Sequence, residues 1–238
     1  MDAMMQAPEA TVAVTGISSM ATRPMLARLA AAYERDTGTR VAITSVGGVD
    51  AAQRVREGEP FDVVVLASDA IERLAADGHV EPGSRVDVAR SRIAVAVASG
   101  APQPDIGTEA ALRDAILGAG RIGYSTGPSG THLTRLFAHW GVADAIAPRI
   151  VQAPPGVPVG ALIASGDVEL GFQQMSELMH VPGIALVGAL PAPVQAVTVF
   201  AAAIVAVAHD RMAAARFVSY LVSPEAAHIK REYGMEPA

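Results

Sequence analysis

At 238 residues, 51% of them apolar but only 4% aromatic, the chain has room for one large domain or two ordinary lobes with a core of Ala, Val, Leu and Ile. That composition suits an α/β protein of buried aliphatic strands and Ala-rich helices. A formal net charge of −6 without a basic run excludes nucleic acid and anionic membrane surfaces as partners, and the absence of cysteine excludes disulfides, thiol chemistry and thiolate metal sites.

The first ten residues hold two acids, Asp2 and Glu9, and no apolar run, so they do not read as a signal peptide. The chain as written therefore implies a cytoplasmic protein, and a periplasmic one if a leader is removed. Thr11–Thr15 reads as a β-branched strand that ends in a loop at Gly16–Met20. A helix follows from Arg23-Pro24 to Thr37, with Met25, Leu26, Leu29, Ala30 and Tyr33 as its apolar stripe and Gly38 as its stop. Val41–Ser45 is a second strand, and Gly47-Gly48 turns the chain into a helix over Val49–Glu57. Phe61–Leu66 is a continuous apolar strand, and Asp69–Asp77 the next helix. Strands alternating with helices of this length predict βαβ units on a parallel sheet.

Ile93–Val97 opens a second βα series, with a helix at Glu109–Leu117 and a strand at Arg121–Tyr124. Between that strand and the next helix, Ser129–Trp140, lie Ser125, Thr126, Gly127, Pro128, Ser129, Gly130 and Thr131. Pro128 suits the first helical position, either Ser129 or Thr126 suits the N-cap, and the free amides of the first turn make a small-anion site. The spacing matches neither a phosphate loop nor a dinucleotide fingerprint. Pro154–Pro158, which carries Val157, is a rigid loop before a short helix closed by Gly166. Asp167–Phe172 is a strand that ends in a turn at Gln173-Gln174. Ala196–Ala208 is too short to span a membrane and reads as a buried return strand. The chain closes with an Ala-rich helix over Met212–Val222 and a last one starting at Ser223-Pro-Glu225, with Ser as cap.

Several segments resemble the type II periplasmic solute-binding proteins, in particular their molybdate-binding branch. These are the first strand with Ser18-Ser19, Ala31-Ala32-Tyr33-Glu-Arg-Asp-Thr-Gly38, Phe61-Asp-Val-Val-Val-Leu-Ala-Ser68, and Ala214–Ala226 with Tyr233-Gly234. The resemblance implies two Rossmann-like α/β lobes joined by a hinge, one formed by residues 1–90 plus 196–238 and the other by 91–195, with a ligand in the cleft. Molybdate binders of that branch hold their oxyanion with two loop serines, backbone amides and a tyrosine. Here Ser18 or Ser19 fills the first serine role. The second loop has Val46-Gly47-Gly48, and Gln173-Gln174 stands where the tyrosine is expected, so another anion fits better than molybdate.

The candidate ligand-binding residues are thus Ser18, Ser19, Arg23, Gly47, Gly48, Ser129, Gly130, Thr131, Val157, Gln173 and Gln174. Arg23 offers a planar fork for a carboxylate at a helix start, where an unaccompanied cation is disfavoured. Of Gln173 and Gln174, strand alternation leaves one to face the cleft and one to be structural. His132 shares the face of Arg135 and His139 opposite the apolar stripe, which suits a solvated position or a general base. Glu177, Asp50 and Asp69 near other strand ends are further possible bases, whereas Asp62 and Asp167 read as ordinary strand-edge acids. No metal site and no cofactor is implied. Two functions remain open: a binding protein for a small anion, a carboxylate before molybdate, with an ABC permease as partner; and an isomerase of a small tricarboxylate like aconitate isomerase, a member of the same branch, with His132 and Ser19 in the chemistry.

Overall fold

A computed structural model describes residues 12–154 and 156–238. The N-terminal stretch through Thr11, and Pro155 of the rigid loop, lie outside the described residues. The chain alternates strands and helices in the order β1 (Val12–Ser19), α1 (Arg23–Thr37), β2 (Arg40–Val46), α2 (Gly48–Arg56), β3 (Val63–Ala67), α3 (Ser68–Ala76) and β4 (Val86–Ala98). There follow α4 (Glu109–Gly118), β5 (Ile122–Tyr124), α5 (Pro128–His139), α6 (Ala143–Ile146), β6 (Ile150–Gln152), α7 (Val159–Ala164), β7 (Leu170–Gln174) and α8 (Met175–Leu178). The last elements are β8 (Ile184–Ala189), β9 (Val197–Ile204), α9 (Arg211–Leu221), α10 (Ala226–Glu232) and β10 (Met235–Pro237).

The sheet is mixed, not parallel. Its strand order is β2-β1-β3-β9-β4-β7-β5-β6, with β8 and β10 also paired to β4. The three-strand sets β2-β1-β3 and β7-β5-β6 are each parallel, but β9 runs antiparallel to both β3 and β4. The long β4 joins the two sets: Val86–Arg92 pairs with β9, and Ile93–Ala96 pairs with β7. Sequence reasoning starts this strand at Ile93 because Asp87, Arg90 and Arg92 interrupt the apolar run. In the fold those three residues sit on the exposed side while Val88, Ala89 and Ser91 are buried.

Each half has its own core on both faces of its sheet. In the first, α1 packs Met25, Leu26, Leu29 and Tyr33 against β1, β3 and α9, and the Tyr33 ring meets Phe217 edge-on at 5.3 Å. Burying each such large side chain contributes roughly 1.5–3 kcal/mol, and Gly38, at φ 71°, ends α1 in the left-handed cap that a side chain would disfavour. In the second half, α4 and α5 bury Leu112, Ile116, Leu133, Leu136 and Phe137 against Ile93, Val95 and Phe172.

Several boundaries differ from the sequence reading. Gly16–Ser19 belongs to β1, where the backbone pairs with β2 throughout and with β3 as far as Ser18. Gln173 and Gln174 are the last residues of β7, opposite Ala94 and Ile93, and not a turn beyond it. The return strand is the shorter β9, and the last helix starts at Ala226, with Ser223 in the preceding turn and its hydroxyl without a partner. Helix α5 is capped by Gly127 with no side-chain bond; Ser129 lies inside the helix, and Pro128 occupies its start. Nor is Asp62 an ordinary edge acid. It is 4% exposed and accepts from the Thr15 amide and hydroxyl, each at 2.8 Å, and from the His209 and Asp210 amides at 2.8 and 3.3 Å. It thereby ties β1, β3 and the start of α9 together.

Candidate functional site

Strand direction locates the site. β3 is antiparallel to β9 and β9 to β4, so β1, β2 and β3 run in the direction of β4, towards the point where it passes from one set to the other. β7, β5 and β6 run against β4, so their carboxyl ends point back at the same place. The carboxyl ends of two parallel strand sets therefore meet near Arg92 and Ile93. Ligands of open α/β sheets bind beyond such ends. A direct bond crosses there: the buried Ser176 hydroxyl of α8 donates to the Ala21 carbonyl after β1, at 2.8 Å.

On the first side, the two serines of β1 part company. Ser18 is fully buried and its hydroxyl lies 2.8 Å from that of Ser45 on β2. Ser45 also lines a groove of about 330 Å³ between α1 and β2, with the exposed Arg23 at its end and Glu34, Ala27 and Ile43 along it; Ser19 is not in that lining. Among the described residues Arg23 makes no ion pair. Ser19 turns the other way. It is 8% exposed, its hydroxyl has no partner, and a Cβ added at Gly48 would stand 3.8 Å from its own Cβ. Ser19 thus faces the first turn of α2, whose Gly47 and Gly48 leave the amides uncovered. The carboxyl of Asp50 curls back within about 3.2 Å of where a Gly47 Cβ would be.

On the second side, α5 begins at the end of β5. Ser129 is buried with its hydroxyl 3.4 Å from that of Ser125, while Thr131 is exposed. Gly130 is obligatory, because a Cβ there would be driven into the Ser125 carbonyl oxygen. His132 does not belong to the solvated face expected for it. Its Nε2 lies 2.8 Å from the Val194 carbonyl, which makes that nitrogen the donor, and the ring ties α5 to the segment before β9. The Val157 amide closes a turn onto the Pro154 carbonyl at 3.0 Å, and its side chain is partly exposed.

Both glutamines are buried, with different duties. Gln173 accepts from the Val159 amide at the start of α7 at 3.0 Å and donates to Glu177 at 2.7 Å, which makes it the structural one. Gln174 donates to the Thr198 hydroxyl at 2.8 Å and leaves its Oε1 without a donor. Glu177 is the chemically distinctive group. Burial pushes its carboxyl up from the ordinary 4.5 to about 7, against the opposing effect of the Gln173 side chain and the Gln174 amide. A carboxyl that gives and takes a proton near neutral pH is equipped for proton transfer on a bound anion. Position after a strand places Glu177 among the candidates; only its burial separates it from Asp50 and Asp69, and burial is invisible in a five-residue window of Gln-Gln-Met-Ser-Glu. Among the described residues no three His, Asp or Glu side chains cluster as metal ligands, and no helix is long and apolar enough to cross a membrane.

Residues 14–236 match the family model described as bacterial extracellular solute-binding protein. An aconitate isomerase from a Pseudomonas species is 36% identical over 236 residues, spanning 97% of this chain and 90% of that protein. The molybdate-binding protein ModA of Azotobacter vinelandii is 28% identical over 237 residues, or 96% of this chain and 90% of that one. The solved periplasmic molybdate-binding protein of Azotobacter vinelandii has the same fold, with a TM-score of 0.80 at 24% identity over 94% of this chain and 99% of that one.

Proposed function

We propose that this chain, which belongs to the bacterial extracellular solute-binding protein family, binds a small tricarboxylate between its two strand sets and moves an allylic proton along it, as an aconitate isomerase does. The lobes are residues 1–90 with 196–238 and residues 91–195, and the ligand lies between them. The observation that carries the reading is Glu177, a carboxyl raised to about 7 at the meeting point of the strand ends. The 36% identity to an aconitate isomerase, against 28% to a molybdate-binding protein, supports it.

The amides at the starts of α2 and α5 and the unpaired Ser19 hydroxyl hold the ligand's carboxylates. The ionised Glu177 removes a proton from the methylene carbon next to the double bond. The electron pair moves into the adjacent carboxylate, and Glu177 returns the proton to the far end of the allyl unit. One proton leaves and one arrives, so no oxidant or cofactor enters. His132, tied to Val194, positions α5 and leaves the proton to Glu177. The same Ser19–Gly48 arrangement also suits passive capture of an anion for an ABC permease outside the cytoplasm, which needs no proton transfer.

Incubation with cis- or trans-aconitate, resolved by chromatography, separates these readings when combined with melting curves in aconitate, citrate, sulfate, phosphate, molybdate and tungstate. A ligand at 100 times its Kd adds about 2.7 kcal/mol. Interconversion is expected, falling about 10²–10⁴-fold in Glu177→Gln with binding retained, and Ser19→Ala weakens binding. Stabilisation by a tricarboxylate without interconversion leaves passive binding. Stabilisation by micromolar molybdate or tungstate and by no carboxylate overturns the carboxylate reading.

A further inference from the structure

Where β4 passes between the strand sets, one of its faces carries unsatisfied polar chemistry that neither catalysis nor capping uses. Ser91 of β4 lies opposite Thr198 of β9, and Ile93, two residues on, lies opposite Gln174 of β7. Opposed residues of an antiparallel pair share a face, and β9 and β7 flank different edges of β4. Ser91, Thr198 and Gln174 are therefore on one face of three adjacent strands. The bond from Gln174 Nε2 to Thr198 Oγ1, 2.8 Å long, carries the amide across β4 on the side of Ser91. Two atoms remain without a partner: Gln174 Oε1, in a residue 1% exposed, and Ser91 Oγ, in one fully buried. Leaving such groups unmet is costly, so native folds seldom keep two on one face without a use.

The free atoms are an acceptor and a hydroxyl. A carboxylate, which only accepts, cannot satisfy the amide oxygen, whereas a ligand hydroxyl can donate to Gln174 Oε1 and accept from Ser91 Oγ. We infer that Ser91, Gln174 and Thr198 form a station for a hydroxyl group, which aconitate lacks, so that a hydroxylated tricarboxylate competes for the same site and binds more tightly than its deoxy counterpart. Thr198 is the positioning residue, since it fixes which end of the Gln174 amide is free. Gln174 follows Gln173, whose side chain donates to Glu177 at 2.7 Å, so the station lies one residue along β7 from the group that holds the reacting carboxyl. This inference rests on the carboxylate reading of the same site.

Calorimetric titration with citrate and with propane-1,2,3-tricarboxylate, which differ by one hydroxyl, tests it. Wild-type protein is expected to bind citrate at least about tenfold more tightly. Ser91→Ala and Gln174→Met, on different strands, each bring the ratio to within about twofold of unity and leave the deoxy ligand's Kd within about twofold; unliganded melting curves verify that both variants fold. Equal affinities in the wild type, as when a water fills the station, overturn the inference while the carboxylate reading survives, and so does a preference that persists in both variants. Binding of neither compound overturns both together.

Discussion

Replacing Glu177 by Gln separates stability from function at a single atom pair. In the folded chain the carboxyl titrates at about 7, raised by burial from an ordinary 4.5. Between those values the native state holds a proton that the unfolded state has released, so stability is full below about 4.5 and falls as pH rises through 7. At about 1.4 kcal/mol per tenfold, the interval amounts to roughly 3 kcal/mol. The amide of Glu177→Gln keeps an acceptor for the Gln173 side chain and never ionises. The variant is therefore expected to match the wild type near pH 4.5 and to exceed it at pH 8 by about 2–3 kcal/mol. For a chain of this size that is a rise in Tm of about 4–12 °C. Urea unfolding followed by circular dichroism at half-unit steps from pH 4.5 to 8 reads the difference directly, and subtraction cancels the titrations common to both proteins. A pH-independent difference, or a less stable variant at pH 8, refutes the argument that burial dominates at this carboxyl. Loss of aconitate interconversion in the stabilised variant would mark Glu177 as a group kept for chemistry at a cost to the fold.

Binding an anionic ligand beside Glu177 raises its proton affinity further, so calorimetry at pH 7.5 in buffers of different ionisation enthalpy is expected to show fractional proton uptake, absent in Glu177→Gln. Asp62→Ala removes four hydrogen bonds at once and is expected to cost about 3 kcal/mol by urea unfolding. Burial would raise the Asp62 carboxyl, but the Thr15, His209 and Asp210 donors outweigh it and hold it below the ordinary 3.8, so its stabilisation is present above that value and lost as pH falls further. Lys230, whose ammonium donates to the Val88 carbonyl from a buried position, is lowered from 10.5 to about 8 by burial. The native state sheds that proton first, so stability rises between pH 8 and 10.5, and Lys230→Met flattens the rise. His132→Gln keeps a donor for the Val194 carbonyl and is expected to leave turnover within about twofold; a loss of 10²-fold or more with unchanged melting would restore the imidazole to the chemistry.

Local pattern exposes the helices and most strands because their residues state their own environment. Met25, Leu26, Leu29 and Tyr33 recur at helical spacing and are all buried, and Gly38 stops α1. What pattern misses lies where two strand sets share one chain. Arg90 and Arg92 of β4 face outward, so its first half looks like a loop, and Gln173-Gln174 resembles a turn because two polar residues in a row seldom end a buried strand. The site is legible to the same extent. Ser19 and Gly48 follow predicted strands and do meet, whereas Ser18 is drawn aside by Ser45 and Arg23 by the α1–β2 groove. The roles of Ser91 and Thr198 depend on a register between β4 and β9 more than a hundred residues apart in the chain, which no local window contains.

The charge balance bears on how an acidic chain can hold an anion at all. With a net charge of −6, and with Asp50 and Glu177 both near the strand ends, attraction from afar is unavailable. The donors at the meeting point are instead neutral, a serine hydroxyl and helix amides, and Gln174 leaves free only an acceptor, its Oε1. Neutral donors in a partly buried cleft act at contact distance and are little weakened by salt, but they are directional, so they discriminate by shape and by which ligand atoms donate. Arg23, outside that set in its groove, is placed to add charge without adding direction. An arrangement of this kind selects by chemistry once the ligand has arrived. It also favours the neutral form of Glu177 when a carboxylate arrives, whereas the isomerisation starts from the ionised form, so these two demands set the pH at which turnover is highest.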